Sequence, residues 1–500
     1  MTRTMGQRLG GMLLASVLLI SPGLARADWL RAESEHFEVY GRSEKSLREF
    51  TTMLEDFDSL LRRLHGRPQD EVPYRKLPVY LTQNIKQLRR VLPEAKDDVR
   101  GVYFATPLDV FVAAIPDGDA ESDDQNRGDD VIFHEYVHHF MLQYYANAYP
   151  AWLIEGYAEY YMTADLANRR MVVGGVNNGR AYSLTVPGGW IDMSDVLTKR
   201  PSELKKESVL AFYAQSWLLT HYILSDPERK KRLVVYLDQI RNGGEPVAAW
   251  QKVYGDDMKG LTARLRAYLN RPLPAGMLPR QEALDVAMTI TPLPASADDL
   301  LLANQRLKLR NEDGVPTGLL AEIRAVAKAQ PQDRFARLVA ARAEIAYGER
   351  AVGLTTLEDL VKANPADEEA LVLLAETRLR TEDKDPAVQA ANIDQARKLF
   401  ARAFKLNPNN PMTLHGYADA RSMTGPIDDG LVDIRLQTVM IAPQVGHFRL
   451  DAAHAAMAIK DADTARLILR PLASDPHSTG ESQAAQALLK EIDAAEKKTP

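Results

Sequence analysis

The chain contains no cysteine. That excludes disulfides, a cysteine nucleophile, thiolate metal sites and a lipid-modified cysteine anchor. It also lacks an excess of either charge. Its 62 Lys+Arg face 68 Asp+Glu, for a net charge of −6 over 500 residues. Such a balance gives no compositional signal for nucleic-acid binding. No stretch beyond the N-terminus is long and apolar enough to cross a membrane. A nucleophilic serine elbow, G-x-S-x-G, is absent too. Hydrophobic residues at 45% and charged residues at 26% fit folded globular protein and exclude a mostly disordered or fibrous chain. At roughly 100–200 residues per domain, this length predicts several domains.

Residues 1–27 read as a secretory signal peptide. Arg3 and Arg8 open it, residues 12–20 (MLLASVLLI) form a short apolar core, and Pro22-Gly23 break that core. Ala25-Arg26-Ala27 fits a small-x-small cleavage site. The apolar run is shorter than the roughly 20 residues a span requires. An uncleaved anchor is the alternative. Cleavage removes three arginines and no acid, leaving a charge of −9. A cysteine-free exported chain suits a bacterial periplasm.

From residue 28 to about 116 the pattern mixes strand and helix. His36–Tyr40 alternates like a strand, and Ser43 can cap a helix with Leu47, Phe50, Leu54, Phe57, Leu61 and Leu64 on one face. Leu77–Leu81 is a strand candidate, and 102–105 can pair with 110–115 as a hairpin. Residues 117–130 are acidic and polar, and read as a loop. Helical patterns follow at about 130–146, 150–163, 207–224, 227–241 and 256–270. Five prolines mark a linker over 271–296.

The chemistry concentrates in Val131–Phe140, VIFHEYVHHF, which contains His134-Glu135-x-x-His138. Residues four apart share a helix face, so both imidazoles can reach one ion while Glu135 stands beside it. Without thiolates, a zinc ion needs a third ligand from a histidine or a carboxylate. Met141 and Tyr144 stand where the metzincin extension has its glycine and third histidine, so that class is excluded. The next helix candidate reads PAWLIEGYAEY from Pro150, with Glu155 and Glu159 one turn apart.

This pairing resembles the gluzincin peptidases, the thermolysin-like and aminopeptidase-like zincins. In them HExxH precedes a helix bearing Glu-Gly-x-Ala-x-Tyr or a variant. The resemblance implies zinc held by His134, His138 and Glu155, with Glu135 as general base. It makes Glu159 the acid that orients a ligand imidazole. Within FYAQSWLLTHYIL (212–224), Tyr213 matches the tyrosine that hydrogen-bonds the developing oxyanion, and His221 is a second, weaker candidate. Phe140 and Leu142 replace the tryptophan and glycine that follow HExxH in aminopeptidases, and no Gly-x-Met-x-Asn segment is found. Aminopeptidase specificity is therefore not implied. Val110–Ile115 is expected as the edge strand for an extended substrate.

Beyond residue 296, proline recurs. Pro331, Pro365, Pro408, Pro443 and Pro476 are 34, 43, 35 and 33 residues apart, and a polar insertion near 381–389 lengthens the second interval. A helical texture with a period near 34 resembles tetratricopeptide repeats. Ala396, Phe400, Ala403 and Pro408 fall on the second-helix consensus. Leu371, Leu374, Ala375, Leu414 and Ala418 suit first helices.

Together the resemblances imply an α+β chain in three parts after its signal: a zincin catalytic domain over 28–270, a linker, and an all-α tetratricopeptide-like solenoid over 297–500. The implied protein is a periplasmic or secreted zinc metallopeptidase using Zn2+. Its partners are a peptide or protein substrate and a protein docked on the repeats. Neither nucleic acid nor a membrane span after signal cleavage is implied. The alternative is a repeat adaptor or scaffold whose zincin domain has little or no activity. If the signal reading holds, mature protein recovered from an exporting host starts at Asp28 by N-terminal mass spectrometry. A mature chain still beginning at Met1 would reject cleavage.

Overall fold

A computed structural model describes residues 26–116, 128–166, 170–279, 286–309, 318–477 and 479–496. The signal sequence up to residue 25 and the stretch 117–127 of the acidic loop lie outside the described residues. The N-terminal region holds β1 (Arg26–Glu33), β2 (Phe37–Gly41), α1 (Glu44–Leu64), β3 (Leu77–Leu81), α2 (Ile85–Val91), β4 (Gly101–Ala105) and β5 (Val110–Ala114). Next come α3 (Gly128–Tyr144), α4 (Ala151–Tyr161), β6 (Arg170–Val173), α5 (Asn178–Ser183), α6 (Met193–Thr198) and α7 (Val209–Leu224). After these lie α8 (Pro227–Arg241), α9 (Pro246–Tyr254), α10 (Met258–Leu269), β7 (Gly276–Pro279), β8 (Thr289–Pro294) and α11 (Ala297–Leu309).

Six strands form a mixed sheet in the order β4-β5-β3-β2-β1-β8. Its centre, β2-β3-β5, is parallel, and the outer pairs are antiparallel. β3 and β5 are buried throughout, which explains their unbroken apolar sequences LPVYL and VFVAA. The two-residue strand period divides them between faces. Val79, Leu81, Val110, Val112 and Ala114 pack with α1 and α3. Tyr80, Phe111 and Ala113 pack on the other face with Trp29, α2 and α11.

Two expectations need correction here. Val110–Ile115 was to be an edge strand, yet β5 lies between β4 and β3, and β4 forms the edge. The apolar run within one strand does not reveal whether a second strand pairs with its other edge. The segment 271–296, expected as a linker, carries β7 and β8. β7 pairs with β6, and β8 closes the far edge of the large sheet against β1. Proline is tolerated there because an edge strand needs only half its backbone donors.

Helix α1 starts at Ser43, whose side chain accepts from the Ser46 N–H. Its apolar face buries Leu47, Leu54, Phe57 and Leu61. Phe57 stacks on Phe133 of α3 with centroids 4.0 Å apart. A buried polar network fastens the same two helices. The Tyr136 hydroxyl donates to Asp58 at 2.6 Å, and Arg62 Nε donates to Asp58 at 2.5 Å. His36 Nδ1 meets Glu55 at 2.6 Å. The helix carrying the HExxH sequence is thus locked to the sheet through α1.

The C-terminal region is all helical. Helices α12 (Leu319–Ala329), α13 (Arg334–Tyr347), α14 (Arg350–Ala363), α15 (Glu368–Leu379) and α16 (Pro386–Leu406) lead into α17 (Pro411–Ser422) and α18 (Asp429–Ile441). The described helices end with α19 (Gly446–Ala458), α20 (Ala462–Ala473) and α21 (Gly480–Glu496). The recurring prolines fall in the turns before α13, α15, α17, α19 and α21, so each period is one helical hairpin. Successive helices pack on one another, and α15 also meets α17, as α19 meets α21. Phe400 of α16 is fully buried, and its ring fills the place a Cβ on Gly416 of α17 would need. None of the described helices is long and apolar enough to cross a membrane.

The His36–Glu55 pair makes stability depend on pH. Burial disfavours the charged imidazole, but the Glu55 bond and the Asp58 charge outweigh it and raise His36 above its ordinary 6.5. Burial likewise opposes the Glu55 carboxylate, and His36 outweighs it, lowering Glu55 below 4.5. A raised histidine stabilises fully below 6.5 and loses its contribution as pH rises through the folded value. A lowered carboxyl stabilises above 4.5 and loses its contribution as pH falls through its folded value. The wild-type advantage over His36→Gln in denaturant midpoint therefore shrinks as pH rises above 6.5. An advantage that stays flat or grows on that side would contradict the pairing.

Candidate metal centre

His134 and His138 sit one turn apart on α3, with their Nε2 atoms 3.1 Å apart. Helix α4 crosses beside them and brings Glu155 Oε2 within 3.5 Å of His134 Nε2 and 3.6 Å of His138 Nε2. Ligands about 2.0–2.1 Å from a tetrahedral zinc are separated by about 3.3 Å, and all three edges lie close to that length. Glu155 is completely buried, and neither carboxylate oxygen has a hydrogen-bond partner among the described residues. An uncompensated buried carboxylate is costly. A divalent cation among these three groups would remove that cost, so the residues fit zinc.

The electrostatics agree. Burial would lower His134, but Glu155, Glu159 and Glu135 outweigh it and raise the imidazole to about 9. Burial would raise Glu155, but the two imidazoles outweigh it and hold the carboxyl well below the usual range. The site thus attracts positive charge.

A glycine allows α4 to come this close. Gly156 faces α7, and a Cβ there would collide with Thr220 Oγ1 and the Ser216 carbonyl. The glycine beside Glu155 is therefore needed for helix packing, in addition to marking a motif. On the same face of α4, Trp152 and Leu153 enter a core with Phe212, Trp217 and Leu218 of α7.

Glu159 stands behind His134, with Oε1 3.8 Å from Nδ1. That is too long for a hydrogen bond. Its oxygens are held by Arg180, at 2.9 and 2.5 Å, and by Asn177 at 2.9 Å. Arg180 went unnoticed in the sequence because 171–200 shows little periodicity. Asn177 caps the short α5 and so places Arg180 toward the site. The Arg180 guanidinium also lies 5.1 Å from the centre of the Tyr213 ring. Burial, and then the Glu155 and Glu159 charges, push the Tyr213 hydroxyl upward, so it stays protonated and can donate. The structure therefore brings Tyr213 into the field of the same acids.

His221 does not join this group. Its Nδ1 meets the Tyr268 hydroxyl at 2.9 Å and its Nε2 meets the Gly174 carbonyl at 3.0 Å. With both nitrogens engaged, it is a buried structural histidine. His139 faces away from the triad and bonds the Tyr103 hydroxyl of β4 at 3.0 Å. Burial and then Arg75 push its imidazole down to about 3. Tyr103 in turn feels the Glu135 charge, so edge strand β4 runs beside the HExxH helix.

Two other clusters have metal-like composition. At His36, Glu55 and Asp58, Arg62 pairs with Asp58 and His36 pairs with Glu55. At His415, His447 and Asp451, Arg435 donates to His415 Nδ1 at 2.8 Å and supplies the positive charge. Of these three groups, only His134–His138–Glu155 has no arginine paired with its carboxylate among the described residues.

No protein-family model matches the chain, and no curated protein does. Among solved structures the chain is similar to a thermophilic TPR protein of Thermus thermophilus, at 17% identity and a TM-score of 0.30. The match covers 38% of this chain and 93% of that one. At so low a score, the helical-hairpin description rests on the packing given above.

Two outcomes follow from this geometry. The purified chain should hold about one zinc by elemental mass spectrometry, and Glu155→Ala should lose it while keeping its circular dichroism. Undiminished zinc in that variant would exclude Glu155 as a ligand. Gly156→Ala should destabilise the metal-free protein by about 1–3 kcal/mol through overpacking, measured by denaturant unfolding. An unchanged midpoint would show that α4 and α7 do not need the close approach.

Proposed function

We propose that the chain is an exported zinc-dependent hydrolase that cleaves peptide bonds. The observation that carries this reading is the buried Glu155 carboxylate, which makes no hydrogen bond among the described residues and is set at tetrahedral-edge distances from two imidazoles, with Glu135 on the same helix as those imidazoles. Zinc bound there would polarise the scissile carbonyl and lower the pKa of its water toward about 7. His134, His138 and Glu155 would hold that ion. Glu135 accepts the proton of the attacking water and delivers it to the departing amine. Tyr213 donates a hydrogen bond to the oxyanion as charge develops on it. Arg180 and Asn177 fix Glu159 behind His134. The edge of β4, beside Glu135, supplies backbone groups for an extended substrate. The helical hairpins are the surface on which we place a protein partner or substrate.

A second reading makes the chain a repeat scaffold whose metal domain turns over little. It is favoured by the size of the helical region and by the direct contact that region makes with the triad through His477. Glu135→Gln separates the two readings. In the hydrolase reading the variant keeps its zinc and loses casein cleavage by about 10²–10⁴-fold. Equal cleavage by the variant rejects Glu135 as the base. Zinc-loaded wild type that cleaves nothing supports the scaffold.

A further inference from the structure

The two oxygens of Glu155 have different surroundings. Oε2 faces both imidazoles, at 3.5 and 3.6 Å, and is the oxygen an ion in the triad would take. Oε1 is then left over. It is buried and has no hydrogen-bond partner among the described residues. A buried acceptor without a donor is costly, and an ion on Oε2 supplies no donor to Oε1. The helical region comes near that second oxygen. His477, in the turn between α20 and α21, has its Nε2 3.5 Å from Oε1. Its ring stands edge-on to His138 with centroids 6.1 Å apart. The donor atoms of His134, His138 and Glu155 lie within 4.8 Å of one another, and His477 is outside that group. It stands behind the carboxylate and is not placed to be a ligand.

Several contacts hold the turn there. The His477 backbone N–H donates to Asp475 Oδ1 at 2.8 Å. Arg200, from the metal-binding region, donates to the Ala473 carbonyl at the end of α20, and Gln486 of α21 donates to the same carbonyl at 3.0 Å. One repeat earlier, Gln444 donates to the His139 carbonyl at 3.4 Å and to Gln143 at 3.1 Å, both on α3. Val439, Ala442 and Val445 of the array belong to one apolar cluster with Tyr136, Val137 and Phe140 of α3. The array is therefore docked on the metal-binding region by contacts independent of His477. The His477 side chain is 56% exposed, so packing does not fix its ring. A small shift of that ring shortens 3.5 Å to hydrogen-bond length.

We propose that His477 is a positioning residue of the metal centre: its ring N–H donates to Glu155 Oε1 while Oε2 holds the ion, and this bond links zinc uptake to docking of the helical array. This rests on the zinc reading above and deepens it. A donor to the outer oxygen of a ligating carboxylate fixes its orientation and strengthens metal binding. The bond acts from behind the ligand, so the fourth position on the ion stays open to water. Linkage is reciprocal. If the docked turn strengthens zinc binding, zinc stabilises the docked turn by the same factor. Drawing the turn away weakens the centre without touching the three ligands.

The test uses the full-length protein and two readouts other than turnover. In competition with a chelator, His477→Ala should bind zinc about 10–100-fold more weakly than wild type. His477→Gln, whose side-chain amide can donate to Oε1, should recover most of that loss. The metal-free His477→Ala protein should keep the wild-type denaturant midpoint, because the side chain it removes is exposed. In hydrogen exchange, zinc should slow the amides of the α20–α21 turn in wild type and leave them unchanged in His477→Ala. Equal zinc affinity in wild type and His477→Ala overturns the proposal and leaves the zinc site standing. A loss of affinity that His477→Gln does not recover, with a lowered midpoint in the metal-free protein, also overturns it. A chain that takes up no zinc overturns both readings.

Discussion

The rest of the structure depends on one buried carboxylate. Glu155 is brought beside two imidazoles with no donor of its own. A protein interior tolerates such a group only with a compensating charge. Everything nearby maintains the arrangement. Gly156 lets α4 close on α7, Phe57 and Asp58 hold α3 from behind, and Arg180 neutralises the neighbouring Glu159. Loosening any of these would change the separation of the three ligand atoms. That separation is close to the edge of a tetrahedral zinc site.

The other histidine–carboxylate clusters help to interpret this one. Each resembles it in composition, and each contains an arginine in contact with one of its acids, Arg62 with Asp58 and Arg435 with Asp451. They are therefore complete without a metal. The triad has no such arginine, because Arg180 is committed to Glu159. Charge balance distinguishes the sites where residue type and spacing do not. The helical array adds a second constraint. Its turns touch α3 through Gln444 and Glu155 of α4 through His477.

Much of the local structure was legible in the sequence. The helix from Ser43, the strands at 37–41 and 77–81, the helices around HExxH and Glu155, and the proline-marked hairpins all follow periodicities of two or 3.6 residues. These are short-range properties, set by backbone geometry and by which side chains avoid water. Strand order was less legible. Val110–Ala114 has the same appearance whether one or two strands flank it, and only the position of β4 decides. Pro292 and Pro294 suggested a linker because proline cannot complete a ladder, yet β8 sits where only half a ladder is needed. Arg180 and His477 showed no signal. A lone arginine in an irregular stretch and a lone histidine in a turn gain meaning only from their neighbours.

By itself, then, the sequence determined the helical and strand segments, the absence of thiolate chemistry, the two imidazoles on one helix face, and the carboxylate that follows them. It determined these because each depends on residues a few positions apart. Only the tertiary structure decided that Glu155 is buried without donors, that Arg180 is spoken for, and that a turn from the far end of the chain lies against the triad. Those facts depend on where separate elements cross. The crossing is set by side-chain volume at contacts such as Gly156 against Ser216 and Thr220, which no local pattern records.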